Sequence, residues 1–225
     1  MTLEKETITD VIRFCNRDLV PDPDFRPADQ FHNDWFIQYF SFIGNTAVET
    51  QLGDAFSQAR FMYKLMSALR LPLAKQKGIV KFQIVQYASI CEAVLDMAIS
   101  NFFKEDAEEK FSVSELVKVP NALAVDVRIT QGNTSLLLCK TKKKKGDLKR
   151  TRIDFKTKYA VERGLLLQAT KDSFDSLYNL RNNIHILKAA DSQYIPKLRE
   201  AKEAFILMQA FVDEIKAYYK ANSNN

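Results

Sequence analysis

The sequence predicts a mainly α-helical fold. Only 6 of the 225 residues are Gly and 6 are Pro, and so few chain breakers disfavour a β-sandwich with many turns. Apolar residues make up 46% of the chain and aromatic residues 11%, which is enough for a sizeable core and argues against a disordered chain. Several segments also repeat apolar residues at steps of three and four, the spacing of one helix face.

We expect residues 1–78 to form an N-terminal helical extension. A first helix at 2–19 precedes a proline-rich loop that runs to about residue 34. The aromatic segment 35–43 is either a strand or a buried helical turn, because its periodicity does not decide between them. Residues 46–70 are predicted to be helical, with apolar residues at helical steps: Leu52, Ala55, Ala59, Met62, Met66 and Leu69. Pro72 and Gly78 are expected to break the chain after it.

A main domain at 79–225 is predicted to begin with a central helix at 79–104, which is hydrophobic nearly all round. One polar stripe interrupts it, formed by Gln86, Ser89, Glu92, Asp96 and Ser100. The carboxylates of Glu92 and Asp96 are either ion-pair partners or part of a site. The alternative is that the whole stripe faces solvent.

Residues 119–152 are predicted to form a β-hairpin insertion that follows a short possible helix at 112–118. The segments 125–130 and 135–140 look like strands, and Gly132-Asn133 between them suits a tight turn. We expect the hairpin to project from the helical bundle and to carry the basic residues that follow it.

Three further helices are predicted after the insertion. Residues 154–163 are helical and end at Gly164. Asp172 or Ser173 is expected to cap a helix at about 173–188, with a buried face of Phe174, Leu177, Leu180, Ile184 and Leu187. The last helix, about 194–220, carries an apolar stripe that suits either a bundle core or a dimer seam: Leu198, Ala201, Phe205, Met208, Val212, Ile215 and Tyr219.

Positive charge is concentrated in one segment. The net charge is +5, and between residues 140 and 152 eight of thirteen residues are Lys or Arg, opposed only by Asp147. A local basic patch is typical of proteins that bind RNA or DNA. The candidate nucleic-acid-binding residues are Lys142, Lys143, Lys144, Lys145, Lys149 and Arg150. The alternative is a solvated loop that only keeps the chain soluble.

The remaining composition predicts a cytoplasmic protein without metal or cofactor. The N-terminal residues MTLEKETITD lack the pattern of a signal peptide, and no apolar run is long enough to span a membrane. Three well-separated cysteines without a CxxC motif suit buried free thiols in a reducing compartment. Only two histidines are present and no Cys/His cluster is found, so a structural zinc site is not expected. His32 lies in the proline-rich loop without an obvious partner, and we do not expect it to belong to a site.

The candidate chemistry centres on Arg181 and His185, which lie four residues apart on one predicted helix face. A histidine can move a proton near neutral pH, and an adjacent arginine can stabilise charge on a phosphate. Together they suffice for metal-free RNA cleavage, with attack of the 2′-hydroxyl on phosphorus. Tyr178 and Asn182 share this polar face and are supporting candidates. The alternative is an ordinary pair of surface hydrogen-bonding residues.

The string LYNLRNNIHI at 177–186 resembles the signature of the HEPN superfamily (the higher eukaryotes and prokaryotes nucleotide-binding domain). That family places an Arg, a polar residue and a His on a late helix, as Arg181, Asn182 and His185 do here. The resemblance covers about residues 79–220. Three residues separate Arg181 from His185, which is shorter than the family's usual spacing.

The resemblance implies a HEPN-like helical bundle and a metal-independent endoribonuclease, often a toxin or a phage-defence protein with a partner such as an antitoxin. It implies a homodimer in which two Arg/His pairs line one cleft, and in which Glu92 or Asp96 orients His185 or pairs with Arg181. The short spacing keeps a second hypothesis open, a non-catalytic module that binds RNA, nucleotides or proteins. A third hypothesis is a purely structural helical protein.

Overall fold

The computed structural model describes residues 9–11, 34–69, 71–118, 130–131, 134–135, 139–184 and 194–222. The predicted mainly helical fold is confirmed. Residues 9–11 are helical, and the rest of the predicted first helix and the loop after it lie outside the described residues.

The helices and strands are as follows. The α-helices are α1 (Asp34–Tyr39), α2 (Thr46–Ala68), α3 (Leu73–Lys110), α4 (Ile153–Glu162), α5 (Gln168–Asn183) and α6 (Leu198–Asn222). Short 3-10 helices occupy Ser41–Ile43 and Leu148–Arg150. The strands are β1 (Val113–Lys118), β2 (Thr130–Gln131), β3 (Thr134–Ser135) and β4 (Cys139–Lys144). They form two antiparallel pairs, β1 with β4 and β2 with β3.

The chain divides into two compact units. The first unit contains Met1–Ala98 and Ile153–Asn225, and the second contains Ile99–Arg152. The division therefore falls inside α3. The predicted division of the chain at residue 78 stays a prediction.

Helix α3 supplies the centre of the first unit, as its sequence predicts. Its buried residues in this unit lie on several sides of the helix: Val80, Ile84, Tyr87, Ala88, Ile90, Cys91, Val94, Leu95 and Ala98. The thiol of Cys91 is fully buried and unoxidised, and burial raises its pKa. Gly78 was expected to break the chain, but it lies within α3. Pro72 immediately precedes the helix, as expected.

By length and composition, α3 is the one helix among the described residues that could cross a membrane. More than half of its most apolar stretch is buried within the molecule, and the core helix of a soluble protein has the same properties.

The aromatic segment 35–43 is helical rather than a strand. The rings of Trp35, Phe36 and Phe56 are in mutual contact, with centroids 4.9–6.2 Å apart. Phe36, Phe40 and Ile43 are buried. Because aromatic residues suit strands and buried helices alike, the sequence alone did not decide between a strand and a helix here.

Helix α4 ends as the sequence predicts. Gly164 has φ +71°, a left-handed conformation that favours glycine, and the Leu165 N–H donates to the Ala160 carbonyl at 2.8 Å.

Helix α5 begins earlier than the sequence predicts. Its first residue is Gln168, so the expected caps Asp172 and Ser173 lie inside the helix. The Glu214 carboxylate of α6 accepts hydrogen bonds from the Leu167 N–H and the Thr170 hydroxyl instead. A cap from a distant helix leaves no local signal in the sequence, and this explains the error.

The apolar stripe of α6 is buried within the chain, which confirms a bundle role for it. Ala201, Met208, Val212, Ile215 and Tyr219 are all buried. Phe211 also contacts Phe174 of α5, with ring centroids 4.9 Å apart. Leu198 differs from the prediction, because 40% of it is exposed at the start of the helix.

The second unit contains an antiparallel ribbon, β1 with β4, that the sequence did not predict. Residues 112–118 were expected to be helical, but Val113–Lys118 form β1. Lysines that were expected to follow a strand lie within one, since β4 is CKTKKK. We call β1 and β4 the basic ribbon.

The predicted hairpin around Gly132-Asn133 is described only in part. β2 pairs with β3 in the register Gln131↔Thr134, which leaves two residues between the strands, as expected. Most of the predicted strands 125–130 and 135–140 lies outside the described residues.

Gly146 positions the end of the basic ribbon. A Cβ atom there would lie only 2.6–2.8 Å from Phe111, including its backbone, and the Gly146 N–H donates to the Glu108 carbonyl at 2.8 Å. The chain after β4 is thus held against the end of α3 within this unit.

Candidate functional site

Arg181 lies in the last turn of α5 and is held by two neighbours. Its guanidinium lies 5.0 Å from the Tyr178 ring centre and 4.0 Å from the Glu92 carboxylate of α3. The second distance is at the outer limit of an ion pair. A quarter of the Arg181 side chain is exposed, so the guanidinium is anchored but reachable. Helix α5 also favours a cation here, because its carbonyl groups point towards this end.

The second half of the predicted pair is not described. Helix α5 ends at Asn183, with Ile184 as its C-terminal cap, and His185 lies outside the described residues. The expected alignment of Arg181 and His185 on one helix face therefore stays a prediction. Asn182 is half-buried in the last turn of the helix.

Asp96 pairs with a lysine that the sequence analysis missed. The Lys156 ammonium of α4 donates to both carboxylate oxygens, at 2.7 and 2.9 Å, and only 3% of its side chain is exposed. Burial raises the pKa of the Asp96 carboxyl, while Lys156 opposes that shift and Glu92 adds to it. Asp96 is thus an ion-pair partner, one of the two roles that the sequence left open.

A signal for Lys156 does exist in the sequence. Ile153, Lys156 and Ala160 fall at steps of three and four, which places the lysine on the buried face of α4. A lysine on such a face needs a carboxylate, since a buried charge without a partner is costly. The polar stripe of α3 supplies it.

A second polar group lies between α4 and α5. The buried Thr157 hydroxyl is 3.4 Å from the Asp175 carboxylate, which also accepts from the Lys171 ammonium at 2.6 Å. Together with Glu92, Asp96, Lys156 and Arg181, these residues balance positive and negative charge across three helices. The arrangement fixes α4 and α5 relative to α3, and Arg181 is its partly exposed cation.

The basic ribbon presents lysines on both of its faces. Residues that pair across an antiparallel ribbon share a face, and the register pairs Lys142 with Glu115 and Lys144 with Val113. Lys143 lies on the opposite face and pairs with Ser114. The exposed fractions of the Lys143, Lys144 and Lys145 side chains are 64%, 58% and 80%.

Glutamates from the same unit contact these lysines. Lys143, Lys144 and Lys145 lie 3.5, 3.0 and 2.9 Å from Glu109, Glu115 and Glu108 respectively. The hydrogen bond and charge of Lys145 lower the pKa of Glu108. These pairs are exposed to solvent, and exposed pairs contribute little to stability.

The two remaining basic candidates follow the ribbon in the 3-10 helix. The Asp147 side chain accepts from the Lys149 backbone N–H at 3.0 Å, and Arg150 lies 3.4 Å from the same carboxylate. Asp147 therefore caps this turn and offsets part of its charge.

Within the part of the chain that the structure describes, no group of three or more His, Cys, Asp or Glu side chains is placed to hold a metal ion. Comparisons with family models, with curated proteins and with solved structures gave no significant match. The resemblance to the HEPN superfamily rests on the sequence motif.

Proposed function

We propose that this protein binds RNA through the basic ribbon. The charge distribution carries this proposal. Residues 99–152 contain twelve Lys or Arg and seven Asp or Glu, so this unit accounts for the whole net charge of +5. Neutralisation of phosphates by Lys and Arg releases counterions and supplies most of the affinity of non-specific nucleic-acid binding.

The glutamates beside the ribbon do not oppose this proposal. Each exposed ion pair can exchange its carboxylate for an RNA phosphate at small cost, because such pairs contribute only about 0–1 kcal/mol. A two-stranded ribbon also holds the backbone of its lysines at fixed spacing, so less backbone entropy is lost on binding than from a free loop.

Binding to short RNA of mixed sequence, followed by fluorescence anisotropy, tests the proposal. Replacing Lys142, Lys143, Lys144 and Lys145 by Ala should weaken binding to every sequence by a similar factor, since phosphate contacts carry no sequence information. The matched control removes four exposed lysines from the first unit: Lys75, Lys77, Lys158 and Lys220. Equal loss of affinity in both variants would contradict a role for the ribbon.

Metal-independent RNA cleavage is a second candidate function. It is favoured by the anchored position of Arg181 against Tyr178 and Glu92, four residues before His185. In this proposal His185 transfers the proton and Arg181 stabilises the charge on phosphorus. The cytoplasmic setting, the homodimer and an antitoxin or defence partner belong to the same HEPN-like proposal.

Cleavage assays in the presence of EDTA test this second candidate. Replacing His185 or Arg181 by Ala should lower the rate by about 10²–10⁴ without loss of helix content. Arg163→Ala is the matched control, because Arg163 also lies over a tyrosine ring, that of Tyr159, at 5.4 Å. If RNA is bound but no wild-type cleavage is found, the protein is a non-catalytic binding module.

A further inference from the structure

A cleft in the first unit is lined by residues that belong to neither of the sites described above. It has a volume of about 230 Å³ and is lined by Arg60, Tyr63, Gln83, Tyr87, Lys202 and Phe205. These residues come from α2, α3 and α6 and enclose one space. We call it the aromatic cleft. Its volume is below the ~300–1,000 Å³ typical of sites for drug-sized ligands, so a ligand of that size would bind with part of its surface exposed to solvent.

One wall of the aromatic cleft contains a buried acceptor without a donor. Gln83 is 1% exposed, and its side-chain amide donates to the Ala59 carbonyl at 3.1 Å, which fixes its orientation. The Gln83 Oε1 atom has no hydrogen-bond partner among the described residues. Buried polar atoms are nearly always paired, so this oxygen indicates a donor that the described residues do not provide.

Two cations line the same cleft. The Arg60 guanidinium lies 4.5 Å from the Phe205 ring centre and 5.7 Å from that of Tyr63. In the described part of the chain, no carboxylate lies within ion-pairing distance of Arg60 or of Lys202. A cation that is held by aromatic rings retains N–H donors for an anion.

Tyr87 adds a hydroxyl donor and a ring to the same wall. Burial raises the pKa of Tyr87 to about 12, and Arg60 acts in the opposite direction. The hydroxyl is therefore protonated at neutral pH. The Tyr87 and Phe205 rings lie 5.7 Å apart and provide the apolar surface of the cleft.

We propose that the aromatic cleft binds a small anion with a planar ring that carries an N–H donor. In this arrangement the anionic group lies against Arg60 and Lys202. The ring contacts the tyrosines, and its N–H donates to Gln83 Oε1. A nucleoside monophosphate and a heteroaromatic carboxylate both have this chemistry. The site is independent of the proposed RNA-binding surface, because none of its residues belongs to the basic ribbon.

Isothermal titration calorimetry with the full chain tests this proposal. The probes are the four ribonucleoside 5′-monophosphates, orotate, inorganic phosphate and the uncharged nucleosides. We expect at least one monophosphate or orotate to bind at one site per chain. Inorganic phosphate alone and the uncharged nucleosides alone should bind at least about tenfold more weakly. A monophosphate as the tighter ligand identifies the anion as a phosphate ester, and orotate as the tighter ligand identifies it as a carboxylate.

Variants assign the binding to the cleft. Arg60→Met and Lys202→Met remove the charges, and Gln83→Leu removes the acceptor, so each should weaken binding by about tenfold. Lys202 is exposed, and its replacement leaves the core intact. Arg163→Met, at an arginine over a different ring, should bind as the wild type does. The proposal is overturned if no probe binds, if phosphate alone binds as tightly as the intact anions, or if Lys202→Met binds normally.

Discussion

At the scale of single residues, buried charge accounts for the arrangement of α3, α4 and α5. Lys156 is almost fully buried, and among the described residues the Asp96 carboxylate is its ion-pair partner. Burial raises the pKa of Asp96 even with this lysine beside it. Pairing therefore does not fully offset the cost of removing the carboxylate from water, as is common for buried ion pairs.

Breaking and replacing this pair should have opposite effects. Asp96→Leu leaves the Lys156 ammonium buried without a counter-charge, so the free energy of unfolding should fall by about 3–5 kcal/mol. The double variant Asp96→Leu with Lys156→Met should regain most or all of that loss, since two apolar side chains need no compensation. Urea denaturation of the single and double variants measures both values.

The pH dependence of the same comparison has a definite sign. Folding raises the pKa of the Asp96 carboxyl above its value in the unfolded chain, which is about 3.9 for Asp. Such a group stabilises the folded protein when the pH is below its pKa in the unfolded chain, and this contribution is lost as the pH rises through its pKa in the folded protein. The stability of the double variant relative to the wild type should thus increase from acidic to neutral pH. A decrease would contradict a raised pKa for Asp96.

At the scale of elements, local patterns predicted the helices but not the contacts that complete them. The steps of three and four in α2 and α6 arise from burial of one face, and α3 is apolar nearly all round because it is central, so the sequence reveals these helices directly. The start of α5 depends on Glu214, which lies 44 residues after Thr170. The strand β1 depends on β4, because VSELVK fits either a helix turn or a strand until its partner is known.

Removal of the distant cap tests this account of α5. Glu214→Ala leaves the Leu167 N–H and the Thr170 hydroxyl without their acceptor and removes a negative charge from the helix N-terminus. The free energy of unfolding should fall by about 1–2 kcal/mol. Glu203→Ala, which breaks an exposed pair with Arg199 on the same helix, should change it by less than about 0.5 kcal/mol. Equal losses in the two variants would rule out the capping role.

The candidate site could also be predicted only in part from the sequence. Arg181, Tyr178 and Glu92 lie together, as the polar faces of their helices indicate. Lys156 was not predicted, because it lies among apolar residues and outside the polar stripes that indicate the other site residues. The aromatic cleft could not have been predicted, since Arg60, Gln83 and Lys202 come from three helices far apart in sequence and only packing brings them together.

At the scale of the whole molecule, the two units differ in net charge. The first unit is formally neutral over its whole sequence, and residues 99–152 carry the net charge of +5. The sequence predicted the basic segment, but not that its lysines lie on an exposed ribbon beside Glu108, Glu109 and Glu115. Because of this difference in net charge, we expect a polyanion to bind the second unit.

The salt dependence of RNA binding tests the role of the ribbon most directly. For single-stranded RNA, the logarithm of the affinity should fall linearly with the logarithm of salt concentration, by about 0.7 for each neutralised phosphate. Replacing Lys142, Lys143, Lys144 and Lys145 by Ala should reduce that slope by up to about 3, whereas the four-lysine control in the first unit should leave it unchanged. An unchanged slope in the ribbon variant, or an equal reduction in both variants, would contradict the proposal that the ribbon binds RNA.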